Sequence, residues 1–229
     1  MGMTSLVMGA SGLVGRQVTK ELLASPLVDE VRILVRREPN LNHPKLSVIL
    51  TDWDKPEEIR HAFAGVHSVF SCLGTTMKKA GSKQEFRKVD QEYVLAGAKL
   101  AREAGVGQFL AVSSVGADPK AKTFYSRVKG EVEEELSAFG FPGLHLFRPS
   151  LLLGDREERR LGERIASVLM KRFDFLFKGK MAPYRAVPAL KVARAMVAIA
   201  LTNAKGNHIY PNEVIHVLGD DTMEAIPPA

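Results

Sequence analysis

Cysteine is nearly missing from this chain: Cys72 stands alone among 229 residues. One thiol excludes an internal disulfide framework and suits a reducing compartment. Cys72 lies inside the apolar stretch Ser68-Val-Phe-Ser-Cys-Leu73, where it reads as a buried structural thiol and not as a nucleophile. The six histidines show no metal-ligand spacing and have no cysteine set to join them, so no metal is expected. Long apolar runs are missing as well. None reaches the ~18–20 residues that a bilayer-spanning helix needs, and no basic stretch leads into an apolar signal segment at the N-terminus. A cytoplasmic chain without a membrane span is the expectation. Positive charge is present, at a formal +6, but a concentrated basic tract is not. Lysine and arginine fall in short pairs (Arg36-Arg37, Lys78-Lys79, Arg159-Arg160), which argues against nucleic acid and for a small anionic ligand.

What is present is length enough for a core, and glycine where it matters. The chain fits a single α/β domain over residues 1–229, with a core at about 3–150 and a C-terminal substrate or lid segment at about 151–229. Its organising stretch is Gly9-Ala-Ser11-Gly12-Leu13-Val14-Gly15. An apolar strand, Ser5–Ala10, precedes it; Val14, Val18, Leu22 and Leu23 follow at helical spacing. The glycines therefore sit where a strand turns into a helix, whose start leaves unpaired N–H groups and partial positive charge. A pyrophosphate fits there. The spacing is G-x-x-G-x-x-G, not the simplest dinucleotide pattern. A glycine-rich turn without a ligand is the alternative.

Strands are expected at Val31–Val35, Leu46–Leu50, Ser68–Leu73, Gln108–Val112 and Leu144–Phe147. A helix follows Pro56, with Ile59, Ala62 and Phe63 buried. Met77–Ser82, basic and glycine-containing, suggests a mobile loop, and a longer helix then sets Val89, Tyr93, Ala96 and Leu100 roughly on one face. The β-α-β-α rhythm predicts a doubly wound parallel sheet, whose ligands lie at the carboxyl ends of the strands. Gly9, Arg36, Asp52, Leu73-Gly74 and Ser113-Ser114 all fall at such ends. Where an NAD binder places an acid after the second strand, this chain has Arg36 and Arg37, which suit the 2′-phosphate of NADP. A solvated pair opening a loop is the other reading. Beyond Pro149 the rhythm breaks into a small appendage: helices at Glu163–Phe177 and Ala189–Leu201, a last strand at Val214–Val217 and an acidic tail from Asp220.

Tyr125 and Lys129 stand four apart and share a helix face. An ammonium beside a phenol favours the phenolate and makes the hydroxyl a proton donor and acceptor. Of the four tyrosines only Tyr125 has lysine at this spacing. Ser113-Ser114, on the preceding strand end, supply a hydroxyl for a substrate oxygen.

At these residues the chain resembles the short-chain dehydrogenase/reductase superfamily, in its atypical, sugar-nucleotide-epimerase-like branch. Within that branch it is similar to the Tat-interacting-protein oxidoreductase family and its bacterial relatives. The likeness runs through Gly9–Gly12, Cys72–Thr76, Lys79–Ser82, Val89-Asp90, Tyr93-Val94, Ser113–Asp118, Tyr125…Glu131, Phe147–Pro149, Leu152-Leu153 and Asp155-Arg156. It implies a Rossmann fold of strand order 3-2-1-4-5-6 with NADP(H) in the crevice. It also implies cofactor contacts from Ser11, Gly12, Leu13, Val14, Arg36, Arg37, Leu73, Gly74, Tyr125, Lys129, Leu152 and Arg160. Asp52 matches the acid that meets adenine in many relatives. The serine position is doubled here, with Ser114 preferred for the substrate, and Asp90 stands in the helix where many relatives carry an asparagine. Two functions follow. The first is an NADPH-dependent reductase of a small carbonyl compound, using Tyr125, Lys129 and a serine. The second is a non-catalytic NADP(H) sensor that binds a protein partner, for which the Glu163–Phe177 helix is a candidate.

Overall fold

The computed structural model describes residues 2–154 and 184–220. β1 (Met3–Met8) lies inside the sheet, with Leu6, Val7 and Met8 wholly buried, as a strand covered on both faces requires. Around it are ranged β2 (Val28–Val35), β3 (Leu46–Leu50), β4 (Ser68–Ser71), β5 (Gln108–Val112), β6 (Gly143–Arg148) and, after the short pair β7 (Leu152–Leu153) and β8 (Val187–Pro188), β9 (Gly206–Pro211). The spatial order is β3-β2-β1-β4-β5-β6-β9 and every pairing is parallel. This is the expected doubly wound sheet with one strand added. β9 escapes a sequence reading because its backbone pairs while most of Gly-Asn-His-Ile-Tyr-Pro stays exposed or half-buried.

Two cores flank the sheet. On one face α1 (Leu13–Ala24) lies against α6 (Ala189–Thr202), joining Val14, Val18 and Leu22 to Val192, Met196 and Ala200. The residues after Val187 thus return to the main sheet. On the other face a tight 3₁₀ segment (Pro56–Phe63), α4 (Tyr93–Glu103) and α5 (Phe124–Ala138) cover β4, β5 and β6. Ile59, Ala62 and Phe63 are buried as expected.

Three local readings need correction. Met77–Ser82 is not a loop without structure: α2 (Met77–Ala80) forms because the Thr76 hydroxyl accepts from the Lys79 amide at 3.2 Å. The long helix is α3 (Lys83–Arg87) running through a π turn (Lys88–Glu92) into α4. The wider turn inserts a residue and rotates the face. Phe86, Asp90, Val94, Ala98 and Leu100 are buried, while Val89, Tyr93 and Ala96 are only half-buried. Val214–Val217 is part of α7 (Asn212–Leu218), where Asn212, Ile215 and His216 share the buried face and Val217 points out. That is a period of 3.6, not of 2. The Glu163–Phe177 segment, and the tail beyond Asp220, lie outside the described residues.

The β6–β9 seam carries a pH dependence. His145 is fully buried, its Nδ1 3.1 Å from the Tyr210 hydroxyl. Burial, with the neighbouring His208, pushes its pKa from 6.5 down to about 4. Between those values only the unfolded chain takes up this proton. Stability is therefore complete above pH 6.5 and falls as pH drops toward 4, by about 2 kcal/mol between pH 7 and pH 5. His216, also lowered by burial, acts in the same direction. Urea titrations at the two pH values read the loss, and His145→Gln should remove most of it.

Candidate active site

The strand ends open into a crevice of about 670 Å³. Ser11, Gly12, Leu13 and Val14 line one side, Leu73 to Met77 follow from the end of β4, and Ser113, Ser114 and Val115 from the end of β5. Tyr125 and Lys129 on α5 and Ser150, Leu151 and Leu152 beyond β6 complete it. Eleven of the residues singled out in the sequence are brought together here: Ser11, Gly12, Leu13, Val14, Leu73, Gly74, Ser113, Ser114, Tyr125, Lys129 and Leu152. Arg16, Cys72, Thr75, Thr76, Met77, Lys79, Asp90, Val112, Val115, Ser150 and Leu151 also line it. The strand-end rule, applied to β6, would have found Ser150 and Leu151. Arg36, Arg37 and Asp52 stand exposed just beyond β2 and β3, outside this cavity. Asp52 accepts from the Asp54 amide at 3.0 Å. Arg160 lies outside the described residues.

The three glycines divide their work. Gly9 has φ +79°, and a Cβ there would meet the Cys72 backbone at 2.7 Å. At Gly15 a Cβ would stand 2.2 Å from the Gly9 carbonyl oxygen. Those two let strand and helix approach. Gly12 is different: its nearest obstacles are the Gly9 oxygen at 3.2 Å and the Cys72 oxygen at 3.8 Å, and it faces the crevice. It caps α1 without a side-chain hydrogen bond and no acid occupies the first turn, so the helix-start amides suit an anion. Gly15→Ala should therefore lower stability by roughly 1–3 kcal/mol in thermal melts. Gly12→Val should spare the fold and abolish cofactor binding in a fluorescence titration.

The floor of the crevice is ionic and buried. Lys129 Nζ lies 2.7 Å from Asp90 Oδ1, the side chains 7% and 1% exposed. Burial draws the Lys129 pKa down, but Asp90, with Tyr125 and Glu133, more than offsets it, so the ammonium is held above its ordinary value. Asp90 Oδ2 accepts from the Thr75 amide at 2.7 Å, so one carboxylate ties the β4 loop to α5. The π turn is what brings it inward. Glu133, one turn beyond Lys129, is also buried. It accepts from Ser113 Oγ at 2.5 Å and from Arg148 Nε at 3.0 Å. Ser113 is thus turned to Glu133, while the Ser114 hydroxyl makes only a 3.3 Å contact with the Val115 carbonyl. Tyr125 is 38% exposed, its ring set against Phe86 at 5.7 Å. Cys72 is half-buried in the crevice wall and not fully buried as its apolar stretch suggested; desolvation raises its thiol to about 12, which keeps it protonated.

Residues 9–139 match the model of a family described as NAD(P)H-binding. Protein HTATIP2 of Rattus norvegicus is 36% identical over 220 residues, covering 94% of this chain and 89% of its own. The chain belongs to the NAD(P)H-binding family. A second member, the mitochondrial protein FMP52 of Debaryomyces hansenii, is 34% identical over 202 residues, covering 88% of each chain. Among solved structures, MoeE5 in complex with UDP-glucose and NAD superposes with a TM-score of 0.68 at 17% identity, over 90% of this chain and 74% of its own. The Bordetella bronchiseptica enzyme WbmH in complex with NAD+ gives 0.69 at 14%, over 92% and 76%. Likeness at that distance shows the fold alone. The matched family and the parallel sheet agree with the NAD(P)-binding Rossmann fold that its motifs implied. One expectation is overturned. The fungal relatives are named as mitochondrial proteins, so a cytoplasmic address does not follow for this member of the family. No helix among the described residues is long and apolar enough to cross a membrane.

Proposed function

We propose that the chain is an NADPH-dependent reductase of a small carbonyl compound. The observation that carries this reading is that Tyr125, Lys129 and Ser114 line the same crevice as the Gly12 helix start. Ser11 to Val14 would hold the pyrophosphate, and Leu73, Gly74 and Leu152 would line the cofactor's path. Arg36 and Arg37 would pair the 2′-phosphate, and Asp52 would meet the adenine end. Lys129 would meet the ribose hydroxyls. When bound, the reduced nicotinamide supplies a hydride. Ser114 donates a hydrogen bond to the carbonyl oxygen and Tyr125 gives it a proton. Ser113 is committed to Glu133 instead. MoeE5 and WbmH were solved with NAD, yet the arginine pair in this chain argues for the phosphorylated cofactor.

Fluorescence titration tests the cofactor. NADPH should bind more tightly than NADH, and alanine at both Arg36 and Arg37 should weaken NADPH at least tenfold while leaving NADH unchanged, since each charged hydrogen bond is worth ~1.5–3 kcal/mol before solvent screening. Equal affinities in the wild type overturn the preference. NADPH oxidation with aldehydes, ketones and quinones tests the chemistry. Ser114→Ala should lose far more turnover than Ser113→Ala, and no oxidation across the panel overturns the reductase.

A further inference from the structure

The crevice exposes apolar side chains beside Ser114 and Tyr125, and it holds them on fixed backbone. Leu151 is 55% exposed and Met77 39%, and both line the cavity along with Val115 and Leu152. An exposed leucine on a free loop would mean little. Leu151 is not on one. Its carbonyl accepts from the Val187 amide at 2.9 Å, and the preceding Ser150 amide donates to Asn212 Oδ1 at 3.0 Å. Asn212, 1% exposed, also donates to the Arg185 carbonyl at 2.7 Å. The Val115 amide donates to the Pro149 carbonyl at 2.9 Å, which joins this wall to the serine loop. Met77 is fixed likewise, at the first position of the helix that Thr76 caps.

We propose that the acceptor is an uncharged, predominantly apolar carbonyl compound, with its oxygen at Ser114 and Tyr125 and its body against Met77, Val115 and Leu151. This rests on the reductase reading of the same crevice. The carbonyl carbon takes a hydride from the reduced nicotinamide and the oxygen takes the Tyr125 proton. The carbonyl is reduced to an alcohol, NADPH is oxidised to NADP+, and Tyr125 regains its proton from solvent. A sugar nucleotide, such as MoeE5 holds, would set its sugar hydroxyls against the Met77, Val115 and Leu151 side chains, which cannot pair them, even though Arg16 and Lys79 line the same crevice.

Calorimetric titration of the NADP+-saturated protein reads binding with no turnover required. Menadione, an uncharged naphthoquinone, should bind, and UDP-glucose should not at millimolar concentration. Leu151→Ser and Met77→Ser should each weaken menadione on the order of fivefold with NADPH affinity unchanged, since each removes a half-exposed apolar contact. Leu27→Ser, on an exposed leucine outside the crevice, should change neither. UDP-glucose binding in preference to menadione, no binding of menadione, or menadione affinity unmoved in both variants would each overturn the proposal. Menadione binding without NADPH oxidation by any carbonyl compound would instead overturn the reductase and leave the apolar site standing.

Discussion

Tyr125→Phe should still bind NADPH and should lose turnover by about 10²–10⁴-fold, the usual contribution of a positioned acid or base. The substitution isolates one proton. The ring keeps its place against Phe86, at 5.7 Å and 58°, and the hydroxyl is lost from a side chain already 38% exposed, so the fold has little to lose. Lys129 keeps its carboxylate partner in Asp90, which leaves the charge on the crevice floor as it was. A drop of this size corresponds to about 3–5 kcal/mol of barrier. Stopped-flow measurement of NADPH oxidation, set beside a fluorescence titration of cofactor affinity, separates chemistry from binding. A phenylalanine variant with the full wild-type rate would remove Tyr125 from the mechanism. For a sensor there would be no wild-type turnover to lose, and the variant would bind cofactor as before.

Asp90→Ala should cost about 3–5 kcal/mol of stability, the usual result of leaving one member of a buried ion pair alone. Two losses coincide there. The Lys129 ammonium would remain 93% out of solvent without its counter-charge, and the Thr75 amide would lose its acceptor. For a chain of this size the melting temperature should fall on the order of 10 °C. The pH response supplies the sign. In the wild type Lys129 is held above its ordinary value, so its share of stability is intact at neutral pH and is lost only as pH rises through that raised value. In the variant, burial, the largest influence on this lysine, is opposed only by Tyr125 and Glu133, and it draws the lysine below its unfolded value. Raising pH from 7 toward 10 should then stabilise the variant and not the wild type. Replacing both residues, as Asp90→Leu with Lys129→Met, should restore much of the stability while abolishing turnover. An alanine variant with an unchanged melt would show that the pair contributes nothing to the fold.

The sequence carried the sheet order and the strand-end site because both rest on strong local signals. A buried parallel strand such as Leu6-Val-Met8 reads as a continuous apolar run, and the β-α-β rhythm then dictates which ends converge. What it did not show depends on contacts distant in the chain. Asp90 looks like one acid in an ordinary helix until the π turn rotates it toward Lys129, thirty-nine positions on. The choice between Ser113 and Ser114 turns on Glu133, whose neighbours in sequence are also acids, Glu134 and Glu135, lying on other faces of α5. Leu151 and Met77 give no periodic signal, because each is placed by a cap or by a short β pairing.

Tyr125, Lys129 and Glu133 lie four apart along one face of α5, and the last of them is bound to the ends of both β5 and β6 through Ser113 and Arg148. The helix cannot turn to reposition Tyr125 without breaking the Glu133 bonds. Accumulated substitutions can therefore retune the chain for a new acceptor by exchanging side chains on the two walls, from Thr75 to Met77 and from Ser150 to Leu152, while their backbones stay fixed. Divergence among descendants of this chain should appear at those walls first, with Tyr125, Lys129 and Glu133 passed on unaltered.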